Sequence, residues 1–143
     1  MHPTHPQQAP ALITVRHKPS NSVLFIVFGS VLLALSLALL FADRFSVWIA
    51  IGPLFIVAGI LSRSAPFMTF DIAQGNLYMH NLFGGRVRKW GAIKSERIVF
   101  DGANLVRLRA DGTQKKVRTS AGRPEDVQYL QQTVWSLQQR PPA

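Results

Sequence analysis

Cysteine is absent from this chain, and acidic residues are scarce. Without cysteine there is no disulfide, no thiolate nucleophile and no Cys-ligated zinc, and the redox compartment is not readable. Seven Asp and Glu stand against 16 Lys and Arg, a formal net charge of +9. The acids are scattered. Asp101 and Asp111 each precede glycine, which points to turn chemistry rather than acid–base work. Asp71 belongs to a carboxylate pair only if Glu96 or Asp101 folds beside it. His2 and His5 lack acidic or cysteine company, and His80 lacks an evident partner, so no metal site is expected. A phosphate-cradling glycine loop, a His-Glu-x-x-His helix and a nucleophile elbow are all missing. We therefore expect no catalytic residue and no cofactor.

Charge is also missing where it is most informative. Residues 23–41 are uncharged and rich in Leu, Val, Ile and Ala; Ala42-Asp43-Arg44 interrupts them, and residues 45–62 are again uncharged. A bilayer core about 30 Å thick needs roughly 20 helical residues at about 1.5 Å each. Both stretches fit, and the sequence predicts a transmembrane helical hairpin over 21–63 with almost no loop. A cleaved signal peptide would have a shorter apolar core and a small-x-small site, and Leu40-Phe41-Ala42 is wrong at its first position. A soluble helical pair would show a polar face, which is lacking. No ionisable residue lies inside either stretch, so an ion or proton path through the hairpin alone is not expected. Arg16 and Lys18 precede the first stretch, while Arg63, Arg86, Arg88 and Lys89 follow the second. The positive-inside bias then places both termini in the cytoplasm and the Asp43–Arg44 turn outside. Trp48 and Phe45 suit the outer interface, and Pro53 is placed to bend the second helix.

Small residues predict how the helices meet. Ser30, Ala34 and Ala38 form a four-residue ridge on the first helix, and Gly52 and Gly59 lie seven apart on the second. Such ridges allow close backbone approach where lipid supplies no hydrophobic drive. They are read as the hairpin's own contact, with a docking face for another membrane protein as the alternative. Residues 1–20 hold four prolines and three histidines, a composition that favours a flexible segment. Residues 11–15 are compatible with the membrane surface or with pairing to a strand of the later domain.

After residue 63 the periodicity changes from helical to alternating. Strands are expected at 67–72, 77–83, 86–90, 96–100, 105–110 and 113–119, with turns at Gln74-Gly75-Asn76, Gly84-Gly85, Asp101-Gly102 and Asp111-Gly112. Pro124 starts a helix whose first turn carries Glu125 and Asp126, and Val127, Leu130, Val134 and Leu137 form its apolar stripe. The fold class is thus a membrane helical hairpin plus an α+β domain over 64–140, an antiparallel sheet or small barrel closed by one helix. Residues 141–143 form a tail.

This order of elements resembles a bacterial pleckstrin-homology-like domain attached to a transmembrane hairpin. The resemblance is carried by Phe70-Asp71-Ile72-Ala73-Gln74-Gly75-Asn76-Leu77-Tyr78, by Trp90-Gly91-Ala92-Ile93 within residues 86–98, by the 105–117 hairpin and by the closing helix. It covers about half the chain and lies in architecture rather than motif. It implies a binding or assembly module, usually without catalysis, in the bacterial inner membrane. Relatives that bind phosphoinositides carry clustered bases at the first hairpin turn, where this chain has Gln74, Gly75 and Asn76.

The basic strands mark the candidate face. Residues 63–143 hold 13 basic residues against 6 acidic ones. Arg86, Arg88, Lys89 and Trp90 are the first group, with Arg107 and Arg109 opposite Val106 and Leu108, and Lys116 and Arg118 sharing a face that Lys115 does not. The face is solvated only, or touches the anionic leaflet, or takes an acidic partner. Nucleic acid is disfavoured because Trp90 is the single aromatic within the strongest run. The expected partners are lipid, another membrane protein, or a second copy of this chain. The expected role is a membrane-anchored accessory protein, or alternatively a regulatory subunit of a transport or envelope-synthesis enzyme whose catalytic groups lie on another chain.

Overall fold

A computed structural model describes residues 11–45 and 47–140; His2, His5 and the 141–143 tail lie outside them. In chain order the elements are β1 (Leu12–Arg16), α1 (Pro19–Phe41), α2 (Trp48–Ser64), β2 (Pro66–Asp71), β3 (Asn76–His80), β4 (Arg86–Gly91), a 3-10 turn (Ala92–Lys94), β5 (Glu96–Phe100), β6 (Leu105–Arg109), β7 (Gln114–Lys116) and α3 (Pro124–Gln139). The fold is mixed α+β. One antiparallel sheet has the order β1-β2-β3-β4, the other β5-β6-β7.

The expectation of a flexible segment through residue 20 is corrected at β1, where pairing with a strand of the domain, one of the two alternatives for residues 11–15, is the one realised. Its alternation buries Ile13 and Val15 and exposes Leu12, Thr14 and Arg16, and it pairs antiparallel with β2 from Leu12↔Asp71 to Arg16↔Pro66. The β domain therefore includes Leu12–Arg16, and both helices are inserted between two neighbouring strands. Turn glycines behave as their sequence context predicts: Gly75, Gly84, Gly102 and Gly112 all take positive φ.

The core gathers Ile13 and Val15 from β1, Phe67, Met68 and Phe70 from β2, Leu77, Trp90 and Leu105 from later strands, Val117 just after β7, and Leu130 and Val134 from α3. Val127 and Leu137 pack at its margin. Pro at the first turn with Glu125 and Asp126 beside it explains the start of α3.

Of the two apolar helices, only α1 is long and apolar enough to cross a membrane. Its 23 residues span about 35 Å, whereas the 17 of α2 span about 26 Å. The connection is longer than the expected break, because α2 begins at Trp48 rather than at residue 45. Asp43 ends α1 in the left-handed region (φ 55°). The Asp43 N–H donates to the Leu40 carbonyl and the Arg44 N–H to that of Leu39, the double closure that a left-handed residue permits.

The helices meet along a seven-residue repeat. Ser22, Gly29 and Ser36 are the buried residues of α1; Gly52, Gly59 and Ser62 are those of α2. A Cβ on Gly59 would lie 2.9 Å from the Ser22 carbonyl oxygen, and the buried Ser22 and Ser62 hydroxyls are 2.8 Å apart. Gly52 and Gly59 thus face α1, but the expected ridge on α1 is corrected: Ser30, Ala34 and Ala38 are exposed. Ser30 lies about 100° round the helix from Gly29, and Ala34 and Ala38 farther still, so the row turns away from the glycines of α2.

The hairpin is mounted on the domain at both roots. The Lys18 N–H donates to the Ala121 carbonyl (2.9 Å) and the Arg123 N–H to that of Arg16 (2.8 Å). The Arg16 backbone N–H and Nε both donate to Asp126 Oδ2, at 3.0 and 3.2 Å. His17 is buried against Phe67 (ring centroids 5.3 Å apart), and burial pushes its imidazole below the ordinary value. On the other side, only Ala65 separates α2 from β2.

Asp126 supplies a pH test of that root. Burial pushes its carboxyl up, but hydrogen bonds from the Arg16 side chain and backbone, with the Arg16 charge, outweigh this and hold it below 3.8. A depressed carboxylate contributes stability that is complete above its ordinary value and lost as pH falls through the depressed one. Asp126→Asn is expected to lower the thermal midpoint at neutral pH, with the gap from wild type closing below pH 3.8. A pH-independent gap would exclude the ionised contact as its cause.

Candidate interaction surface

β4 is an edge strand of the first sheet, and residues 86–89 on it are exposed. The antiparallel order sets where this run begins. β1 and β3 end, and β2 and β4 start, at the end of the sheet that carries the helical hairpin. Arg86 is therefore nearest the hairpin, and Arg88 and Lys89 follow at about 3.4 Å per residue. The Arg86 guanidinium lies 4.5 Å over the Tyr78 ring, which positions it without removing its exposure.

The turn before Arg86 is built by polar side chains. Asn81 Oδ1 accepts from the N–H groups of Phe83 (3.0 Å) and Gly85 (2.8 Å). His80 was expected to lack a partner and has two: Nδ1 is 3.0 Å from the Gly84 carbonyl oxygen, and Nε2 is 3.0 Å from Thr69 Oγ1. An imidazole bridging a strand to a turn is a tertiary pairing that local spacing does not show.

The other basic residues do not join this run. Trp90 is buried in the core, and the Arg107 guanidinium stacks over it at 4.7 Å. Arg107 was expected on the solvent side, opposite Val106 and Leu108, and this is corrected. It shares its face of β6 with fully buried Leu105, so it points inward, and its side chain is 12% exposed. Glu96, itself buried, lies 3.6 Å from Arg107 Nη1 and 3.3 Å from Arg109 Nε. Lys116 and Arg118 are exposed, but Lys116 lies on β7, the strand of the second sheet farthest from β5. The two sheets meet at β4 and β5 through the 3-10 turn, so Lys116, on that far strand of the second sheet, is not beside the run at residues 86–89.

Asp71, Asp101 and Asp111 serve turns. Asp101 Oδ1 accepts from the N–H groups of Asn104 and Ala103 (2.6 and 2.8 Å), which hold its pKa down in that order. The Thr113 hydroxyl and N–H do the same for Asp111 at 2.6 and 2.9 Å. Asp71 Oδ1 accepts from the Gln74 N–H. Among the described residues, no group of three or more His, Asp or Glu could hold a metal ion. Glu96, weighed in the sequence only as a possible partner of Asp71, is the carboxylate of Arg107 and Arg109; the one signal of this is that it opens β5 directly opposite Arg109.

In comparisons with known proteins no family model matched the chain, and neither a curated protein nor a solved structure matched it.

Proposed function

We propose that this chain is a non-catalytic, membrane-anchored accessory or assembly protein, with both termini on the cytoplasmic side of a bacterial inner membrane. In this reading α1 and α2 cross the bilayer as a hairpin and carry a pleckstrin-homology-like domain at its surface. The bilayer assignment is supported by the helix surfaces. Large apolar side chains such as Leu24, Val27, Leu35, Phe41, Leu54 and Ile60 are all exposed, and only 11% of the most apolar part of α1 is buried within the protein. A core helix of a soluble protein would be covered. The 17 residues of α2 reach farther with exposed Phe45 and Val47 ahead of it. The four-and-three strand arrangement with one closing helix supports the domain assignment.

The observation that carries the functional reading is the exposed run at residues 86–89, beginning at the hairpin end of an edge strand. Three cations at the surface of an anionic leaflet contribute about 1 kcal/mol each, together a preference on the order of 10²-fold. Amide exchange at residues 86–89 is expected to slow in nanodiscs of anionic lipid relative to zwitterionic ones. High salt, or Arg86→Glu with Arg88→Glu and Lys89→Glu, should reverse the slowing. Equal exchange in both lipids would remove leaflet contact and leave a protein partner for this edge. Protease added to the cytoplasmic face should cut within residues 64–140; cleavage from the outer face instead would overturn the orientation.

A second reading is favoured by the Ser30, Ala34 and Ala38 ridge, which α2 leaves uncovered. There the chain is a regulatory subunit of a transport or envelope-synthesis enzyme, docking one of that enzyme's helices while the catalysis lies on the other chain.

A further inference from the structure

Phe83 is 72% exposed in the β3–β4 turn and lies beside the helical hairpin. Phe83 forms one wall of an open slot whose other walls are Phe25 of α1 and Leu54, Phe55, Val57 and Ala58 of α2. No polar surface lines it. Ala58 is six residues from the domain end of α2 and Leu54 is ten, so the slot lies about 9 to 15 Å along the helix from Ser64. The Asn81 and His80 hydrogen bonds hold the turn that carries this ring, which also borders Leu61, Ala65, Pro66 and Leu82 at the root of α2 and stays largely exposed. The exposed ring would be unfavourable in water.

We propose that this slot seats one acyl chain of an anionic phospholipid, whose phosphate meets Arg86 at the bilayer surface. The proposal rests on the bilayer reading above. Charge complementarity selects an anionic lipid: residues 72–95 contain Arg86, Arg88, Lys89 and Lys94 and no acid. Arg86 is the first cation after the turn, and it stands at the hairpin end of the sheet. The slot recognises the methylene chain by its apolar walls, and the guanidinium recognises the phosphate by charge-assisted hydrogen bonding.

The absence of cysteine allows a direct test on the full chain in lipid nanodiscs. Single substitutions Val27→Cys on α1, Phe83→Cys on the turn and Tyr129→Cys on α3 take nitroxide labels whose collision with oxygen and with a water-soluble nickel complex reports depth. Labels at 27 and 83 are expected in lipid and the label at 129 in water. A lipid-exposed label at 27 with a water-exposed label at 83 overturns the slot alone; water exposure at both overturns the bilayer reading. Chain-labelled phosphatidylglycerol should be immobilised about fivefold more strongly than phosphatidylcholine. Arg86→Gln should remove that preference, and Phe83→Ser should release both lipids while Phe83→Leu retains them. Equal immobilisation of the two lipids by the wild-type chain, or no effect of Phe83→Ser, overturns the proposal.

Discussion

Glu96→Ala is expected to destabilise the β domain by about 3–5 kcal/mol, because it leaves the Arg107 charge buried without its counterion. The Arg107 side chain is 12% exposed, lies over Trp90, and has no other carboxylate within 4 Å among the described residues. Arg109, half exposed beside the same carboxylate, can turn to water and contributes little of the loss. The pair lacks a hydrogen bond between Glu96 Oε2 and Arg107, so its worth is a balance of charge and desolvation rather than a gain from pairing. For that reason Glu96→Leu combined with Arg107→Met should recover most of the stability lost by either change alone. Denaturant unfolding followed by tryptophan fluorescence measures both the loss and the coupling. Additive losses in the double variant would show that the two side chains do not act on one another.

Gly29→Leu should open the helical hairpin, with a cost at or above the about 1–3 kcal/mol of an overpacked core. A Cβ at residue 29 would stand 2.7 Å from the Gly52 carbonyl oxygen and 2.9 Å from the Ile56 nitrogen. Both are backbone atoms, so no side chain can swing aside; the helices must separate. The Ser22 and Ser62 hydroxyls, 2.8 Å apart, mark a site where a cysteine pair would be close enough to oxidise. Ser22→Cys with Ser62→Cys is expected to form a disulfide in the otherwise natural chain and to lose it when Gly29→Leu is added. Ala34→Leu, on the exposed side of α1, should leave the disulfide intact. If the two leucines acted alike, the seven-residue contact would be wrong.

The exposed basic run was legible before the fold because three of the four consecutive residues 86–89 are cations, so charge reaches both faces of the edge strand whichever register it takes. Lys116 and Arg118 are exposed as expected, but the placements of Arg107 and Trp90 were not legible. Alternation divides Leu105, Arg107 and Arg109 from Val106 and Leu108, but it does not say which set faces the core. The longer apolar pair gave one answer, and packing gave the other through Leu105. Trp90 is adjacent to Lys89 in sequence and opposite Leu77 in space, so its neighbours along the chain misreport its surroundings.

The chain by itself determined its local structure. Two uncharged stretches became helices, Gly-containing pairs became turns, alternating residues became strands, and Pro124 opened the last helix, because each depends on torsional preference and periodicity within a few residues. Tertiary structure decided which faces were used. Pairing with β2 turned Leu12–Arg16 into a strand, the glycines of α2 selected Ser22, Gly29 and Ser36 over Ser30, Ala34 and Ala38, and the core drew Arg107 inward to Glu96. A strand or helix has several faces of similar chemistry, and only the surface packed against it distinguishes them.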